Sequence, residues 1–241
     1  MIQQKNRADA LRRLTCIAMF AAMAYVLMLA VHIKISFLTF DLKDAVITLC
    51  GLYFGPLSAL TVSVVVPLIE FATVSDTGIY GLIMNVLGSV SFSVTASLIY
   101  KYKKTLFGAI LGLISGAFLM VAVMLVANLF ITPLFMAAQG MTTASVRDMI
   151  PKLLFPFNAL KAAVNVGLVL LLYKTLSRAL RRAGVLPRRA VQVTEAPATG
   201  APAAAKGRTV TYIIFAVAVV LIAASLLLIF KVFDGKIAFG L

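Results

Sequence analysis

The stretch 153–173, LLFPFNALKAAVNVGLVLLLY, decides how this chain is read. It is long and apolar enough to cross about 30 Å of hydrocarbon, yet Lys161 lies inside it, three residues after Asn158 and four before Asn165. At helical spacing the three side chains share one face and form a polar stripe. A charge at that depth costs between roughly 3 and 10 kcal/mol unless something satisfies it, so the stripe is expected to face inward. Two kinds of partner are open: a carboxylate, with Glu70 and Asp44 as the candidates, or a bound ligand. Three polar side chains at one spacing exceed what a single ion pair needs, which favours a ligand. Pro156 removes a backbone donor and leaves a carbonyl free for other partners.

The rest of the chain agrees with a membrane setting. Of 241 residues 62% are apolar and 12% charged, and the mean hydropathy is +1.06, outside the range of soluble globular domains. Uncharged runs at 14–31, 79–100, 105–131 and 209–230 are each long enough to span. The first follows Lys5, Arg7, Arg12 and Arg13 but is not succeeded by a small-residue cleavage site and a polar mature domain, so it reads as a retained helix. The run 45–69 is broken by Gly51, Gly55 and Pro56. Reading it as two passes, the first short and shielded by its neighbours, keeps the clusters at 5–13, 101–104 and 174–208 on one side. A single pass would break that positive-inside pattern.

The expected architecture is therefore all-α. A segment 1–13 precedes a six-helix core at 14–180 with both ends cytoplasmic; a basic Pro/Ala-rich linker at 181–208, a further transmembrane helix at 209–230 and a tail at 231–241 complete it. The linker has too little bulk to build a core. The net charge of +14 sits mostly beside helix ends, where anionic lipid and insertion rules account for it, so nucleic acid is not expected as a partner and membrane lipid is. Cys16 and Cys50 lie in apolar segments and do not look catalytic.

No G-x-x-x-x-G-K-[ST] loop occurs, so the chain has no nucleotide-binding loop of that kind. With a single histidine, His32, and no H-E-x-x-H, G-x-S-x-G or paired acidic cluster, no intramembrane enzyme or metal site is expected. The polar features that remain fall toward the outer side. In the loop 34–44, KISFLTFDLKD, the aromatics Phe37 and Phe40 can stack on a flat ligand, while Asp41 and Asp44 either cap the next helix or face that ligand. Asn128, in VANLF at 126–130, either bonds a neighbouring helix or meets a ligand. Asp76-Thr77-Gly78 makes a turn into a helix that carries Asn85, and Glu70 ends the helix before it. On the first span, Ala18 and Ala22 stand four apart in CIAMFAAMA (16–24), small enough to let another helix approach, internal or foreign.

The runs FLTFDLKDA (37–45), GLYFGPL (51–57), DTGIYGLIMN (76–85) and PFNALK (156–161) resemble the substrate-binding S components of energy-coupling factor (ECF) vitamin transporters, nearest their riboflavin-specific branch. The resemblance covers about residues 10–180 and implies a six-helix subunit of the bacterial plasma membrane. Such a subunit captures riboflavin or a related flavin on the outer face and carries no catalytic residue and no cofactor. It associates with a transmembrane coupling (T) subunit and two ATP-binding subunits. The resemblance also implies that Asn128, Asn158 and Lys161 contact the isoalloxazine ring and that Ala18 and Ala22 meet the coupling subunit. The chemistry fits: a carboxamide both donates and accepts, and so complements the C=O, N–H, C=O edge of a flavin. Phe40 would cover the ring, and Asp41, Asn85 and Asn165 complete the expected site. Two alternatives stay open, an S component for another vitamin such as folate and a stand-alone carrier in which Glu70 or Asp44 shuttles protons.

Overall fold

A computed structural model describes residues 2–185 and the short strand 238–239; the linker beyond 185 and the further helix expected at 209–230 lie outside the described residues. Helix α1 (Ile2–Ala30) leads into a hairpin of β1 (Ile33–Ile35) and β2 (Leu38–Phe40), followed by α2 (Lys43–Phe54), α3 (Pro56–Thr73), α4 (Gly78–Tyr102) and α5 (Leu106–Phe135). A short α6 (Thr143–Met149) then runs through a wide turn, Ile150–Leu154, into α7 (Phe155–Arg182), and β3 (Ala238–Phe239) pairs antiparallel with β1. Among the described residues, five segments are long and apolar enough to cross a membrane: Ala10–Ala30, Pro56–Thr73, Gly78–Tyr102, Leu106–Phe135 and Thr143–Arg182.

Helix α2 is the exception. Its 12 residues span only about 18 Å at 1.5 Å per residue, and every one but Tyr53 is buried. It ends where Gly55 takes φ of 97°, a conformation that favours glycine, and Pro56 opens α3 at a position whose missing N–H would have been unpartnered anyway. Arg13 of α1 donates to the carbonyl of Phe54 and so satisfies one of the free acceptors at the end of α2.

Close backbone approach holds α4 to α5. A Cβ placed on Gly112 would lie 2.6 Å from the Ala96 carbonyl oxygen, and one on Gly116 2.6 Å from that of Phe92. Small residues at intervals of four are what helices in lipid use to come together. Between α2 and α4 the contact runs through hydroxyls: Thr48 Oγ1 and Ser93 Oγ are 2.9 Å apart, and Ser93 Oγ donates to the Asp44 carbonyl at 3.4 Å. A main apolar core gathers Phe20, Ile47, Leu49, Phe92, Leu113 and Val169. A second packs the hairpin, through Ile35, Leu38 and Phe40, against Val146, Leu154 and Phe157. The outward faces are apolar, with Leu14, Met19 and Val26 on α1 and Phe107, Phe118 and Phe130 on α5 exposed, as lipid contact requires and water would not tolerate.

The wide turn follows from the sequence. Pro151 and Pro156 both lack the N–H that would continue an α-helical ladder, and between them Phe155 N–H reaches Ile150 C=O, five residues back. Such π-type turns slip the helix face by one residue. The hairpin was read from sequence as an irregular loop, because its strands are three residues each; its turn holds Ser36 at φ of 57°.

Candidate functional site

One cleft lies at the end of the bundle where the hairpin covers α2, α4, α5 and α7. Of the residues singled out in the sequence, Asn85, Asn128, Asn158 and Lys161 line it, joined by Asp44, Phe37 and Thr39. Met84, Met120 and Met124 supply flexible walls, and Phe135, Phe157 and Tyr80 supply aromatic ones. Its free volume is about 90 Å³.

Lys161 Nζ lies 2.8 Å from Asp41 Oδ2 and 3.5 Å from the Thr39 carbonyl oxygen. The carboxylate partner is thus Asp41, brought by the hairpin from 120 residues away, and neither Glu70 nor Asp44 fills that role. Glu70 is taken by Lys43, at 2.8 Å. Lys43, counted in the sequence among basic residues of an outer loop, is instead fully buried at the start of α2, where its ammonium donates to Asp41 Oδ2 (3.1 Å), Glu70 Oε2 and Asn85 Oδ1 (3.1 Å). These use all three of its donors. Asn85 Nδ2 closes the group by donating to Glu70 Oε1 at 3.0 Å.

Asp41 is the hub. Its Oδ2 bridges both ammoniums, its Oδ1 accepts the backbone N–H of Lys43 at 3.2 Å, and it is 0% exposed. Burial alone would raise its pKa, but the ammoniums of Lys161 and Lys43 hold it well below the usual carboxylate range. Asn165 does not reach the cleft. It accepts the Ala45 N–H at 2.9 Å, satisfying a free donor at the start of α2, and donates to the Lys161 carbonyl at 2.9 Å. Phe40 is 2% exposed within the second core and is not among the cleft residues; the aromatic that the hairpin presents there is Phe37.

The cleft side chains keep hydrogen-bonding capacity. Asn128 gives one N–H to the Met124 carbonyl and accepts from Thr132, at 2.7 and 2.8 Å, which leaves one donor and one lone pair. Asn158 gives one N–H to the Leu154 carbonyl at 2.8 Å, just above the wide turn, and Lys161 retains one of three ammonium protons. Asp44, buried in the cleft wall, accepts from Ser89 through Oδ1. Lys34 of the hairpin pairs with Asp76 in the α3–α4 turn, next in sequence to Thr77 of the cleft lining, and that hydrogen bond holds the Asp76 carboxyl below its ordinary pKa. Among the described residues there is no group of His, Cys, Asp and Glu that could hold a metal ion.

Of these features, the sequence could not reveal Lys43. Nothing in K-D at the head of a helix distinguishes a solvated lysine from a buried one; the sign was Glu70, an acid deep in an otherwise apolar segment that needed a cation. On helix α1, Ala18 and Ala22 are exposed while Phe20, Ala24 and Met28 are buried, so no helix among the described residues covers the pair.

Comparison with known proteins gives this geometry a context. The family described as ECF transporter, substrate-specific component, matches residues 12–173. The riboflavin transporter RibU of Staphylococcus aureus (strain TCH60) is 30% identical over 178 residues, 71% of this chain and 93% of that protein. A solved S component of a bacterial ECF transporter superposes with a TM-score of 0.59 at 32% identity, covering 70% of this chain and 98% of the other.

Proposed function

Because the chain belongs to the family of ECF transporter substrate-specific components, a non-catalytic, multi-pass membrane subunit of a vitamin importer, we propose that its cargo is riboflavin, bound in the cleft beneath the hairpin. S components act together with T and A subunits; here the T subunit would dock on Ala18 and Ala22, and two ATP-binding subunits would supply the energy. The cleft would open to the outer face, as the distribution of basic residues favours.

The observation that carries this reading is the unfilled hydrogen-bonding capacity of Asn128, Asn158 and Lys161, side by side in a cleft with aromatic walls. Two carboxamides that each keep a donor and an acceptor suit an imide edge, and an ammonium proton suits the electron-rich side of a flavin ring. Phe37 and Phe157 offer faces for stacking. A three-ring ligand needs more than 90 Å³, since small-molecule sites run to about 300 Å³ or more. Met84, Met120 and Met124 are the side chains able to give way, each unbranched with three rotatable bonds. The similarity to RibU of S. aureus supports the same cargo.

One observation favours a second cargo. Asp44 presents a buried carboxylate to the cleft, which would suit the adjacent amino and ring N–H donors of a pterin, as in folate, as well as it suits sugar-alcohol hydroxyls. Adding riboflavin, folate and other vitamins separately to the purified protein decides. Quenching of riboflavin fluorescence at an equivalence of one per chain, with no thermal stabilisation by the others, is the expected result; stabilisation by folate alone would transfer the assignment.

A further inference from the structure

The hairpin over the cleft is part of a larger sheet. β1 is the central strand in the order β2-β1-β3, and β3 comes from the far end of the chain, with Ala238 opposite Lys34 and Phe239 opposite Ile33 in antiparallel register. β1 and β2 have three residues each, and a two-stranded ribbon of that length is marginal by itself; a third strand or packing against helices has to support it. Both kinds of support are present. Ile35, Leu38 and Phe40 pack against Val146, Leu154 and Phe157, the Thr39 carbonyl of β2 is tied to α7 through Lys161, and the other edge of β1 is the one that β3 occupies.

β3 also fixes where the chain goes after α7. Helices α2, α4 and α7 start beside the cleft, with Asp44, Asn85 and Asn158, and finish at the opposite end of the bundle, where Phe54, Lys101 and Arg181 border a second cavity. Just past the end of α7 the Gly184 carbonyl accepts from Arg12 of α1 at 3.4 Å. Because β3 lies on the hairpin, the chain has to travel the length of the bundle between residues 185 and 238. Within that interval the run 209–230 is uncharged and, at about 1.5 Å per residue, long enough for about 30 Å of hydrocarbon.

We propose that the chain's own C-terminal tail crosses to the cleft side and acts as a strap: β3 restrains the hairpin whose Phe37, Leu38 and Thr39 line the cleft, so that lifting the hairpin breaks the β1–β3 pairing. The effect on cargo rests on the riboflavin reading; the strand pairing does not. Two measurements on the full chain in detergent test the strap without cargo. Residues directly opposite in an antiparallel pair stand about 4.5–5.5 Å apart at Cα, within disulfide reach. Ile33→Cys with Phe239→Cys is therefore expected to yield, on mild oxidation, a linked peptide in the mass spectrum of a non-reduced digest, whereas Ile33→Cys with Ala238→Cys, one position out of register, should yield little. Hydrogen exchange at the amides of 33–40 should quicken roughly three- to tenfold, the fold-change that one net hydrogen bond is worth, in Ala238→Pro with Phe239→Pro, which removes both N–H donors of β3. A chain ending at residue 230 should behave alike, and unchanged exchange in α4 and α5 shows the bundle intact. With riboflavin bound, the proline variant should release it faster by the same factor, and oxidation of the in-register cysteine pair should slow release. Failure of the full chain to bind riboflavin would remove the cargo assignment and leave cross-linking and exchange to decide the strap. Equal cross-linking by the two cysteine pairs, or hairpin exchange unchanged in the proline variant, overturns the proposal.

Discussion

Lys161 divides its three protons between the protein and the cleft, and that division predicts how substitutions behave. Two go to Asp41 and the Thr39 carbonyl, leaving the third for the cleft it lines. Lys161→Ala leaves the buried Asp41 and Glu70 sharing Lys43, so it should lower the melting temperature, and it is expected to weaken riboflavin binding by the folded protein roughly ten- to hundredfold, the value of a hydrogen bond to a charged group; thermal unfolding and fluorescence quenching measure the two. Asp41→Asn leaves two buried ammoniums with one full carboxylate partner, at a cost of about 3–5 kcal/mol, and frees Lys161 from its position. Unchanged affinity in folded Lys161→Ala protein would show that Lys161 serves only the ion pair. The phenylalanines of the hairpin separate: Phe37→Ala should lower affinity while sparing stability, whereas Phe40→Ala, emptying a core position, should cost about 3–5 kcal/mol in stability. Sequence pointed to Lys161, Asn128 and Asn158 because polar groups in an apolar span are few enough to notice. It could not separate Phe37 from Phe40, since which of two residues in a tight hairpin faces the core depends on a register that three-residue strands barely encode.

At the scale of elements, the spans were legible where length and hydropathy speak together, and the division of 45–69 into two helices followed from Gly55-Pro56 and the charge asymmetry. The lead-in to the last core helix was not legible: α6 and the wide turn carry Arg147, Asp148 and Lys152, which interrupt the apolar run although the backbone continues helical into α7. The tightest contact, α4 on α5, rests on glycines that sequence reading passed over. Gly112→Leu puts a side chain where a single Cβ already meets the Ala96 carbonyl oxygen at 2.6 Å, and because the obstacle is backbone, the helices themselves must separate. Overpacking of this kind costs at least about 1–3 kcal/mol. The expected result is a lower melting temperature in detergent and, since Met120 and Asn128 on α5 line the cleft with Asn85 on α4, weaker riboflavin binding as well. Gly140→Ala, at a loop position with φ of 72° and open space around it, should leave the cleft untouched and strain only its own turn.

Over the whole molecule the two ends differ in kind. One presents a cleft closed over by a hairpin, with the buried ammoniums of Lys43 and Lys161 tied to Asp41 and Glu70; the other presents a hollow with basic residues around its rim, and between them the α2–α4 seam is polar but tightly packed. S components of this family act together with T and A subunits, so on the proposed reading the energy for release at the other face arrives through a contact with another subunit. The exposed face of α1 is the place to look: Ala18 and Ala22 leave a shallow strip between Met19 and Met23, all four side chains exposed, and a strip of small residues admits a foreign helix backbone closely. The pair contributes nothing to the lining of the cleft. Ala18→Trp with Ala22→Trp is therefore expected to leave riboflavin binding by the isolated subunit unchanged while abolishing its copurification with the T subunit and stopping ATP-dependent uptake in proteoliposomes of the full complex. Uptake that survives both tryptophans would place the coupling contact on another helix, and a loss of binding in the isolated subunit would mean that α1 shapes the cleft itself.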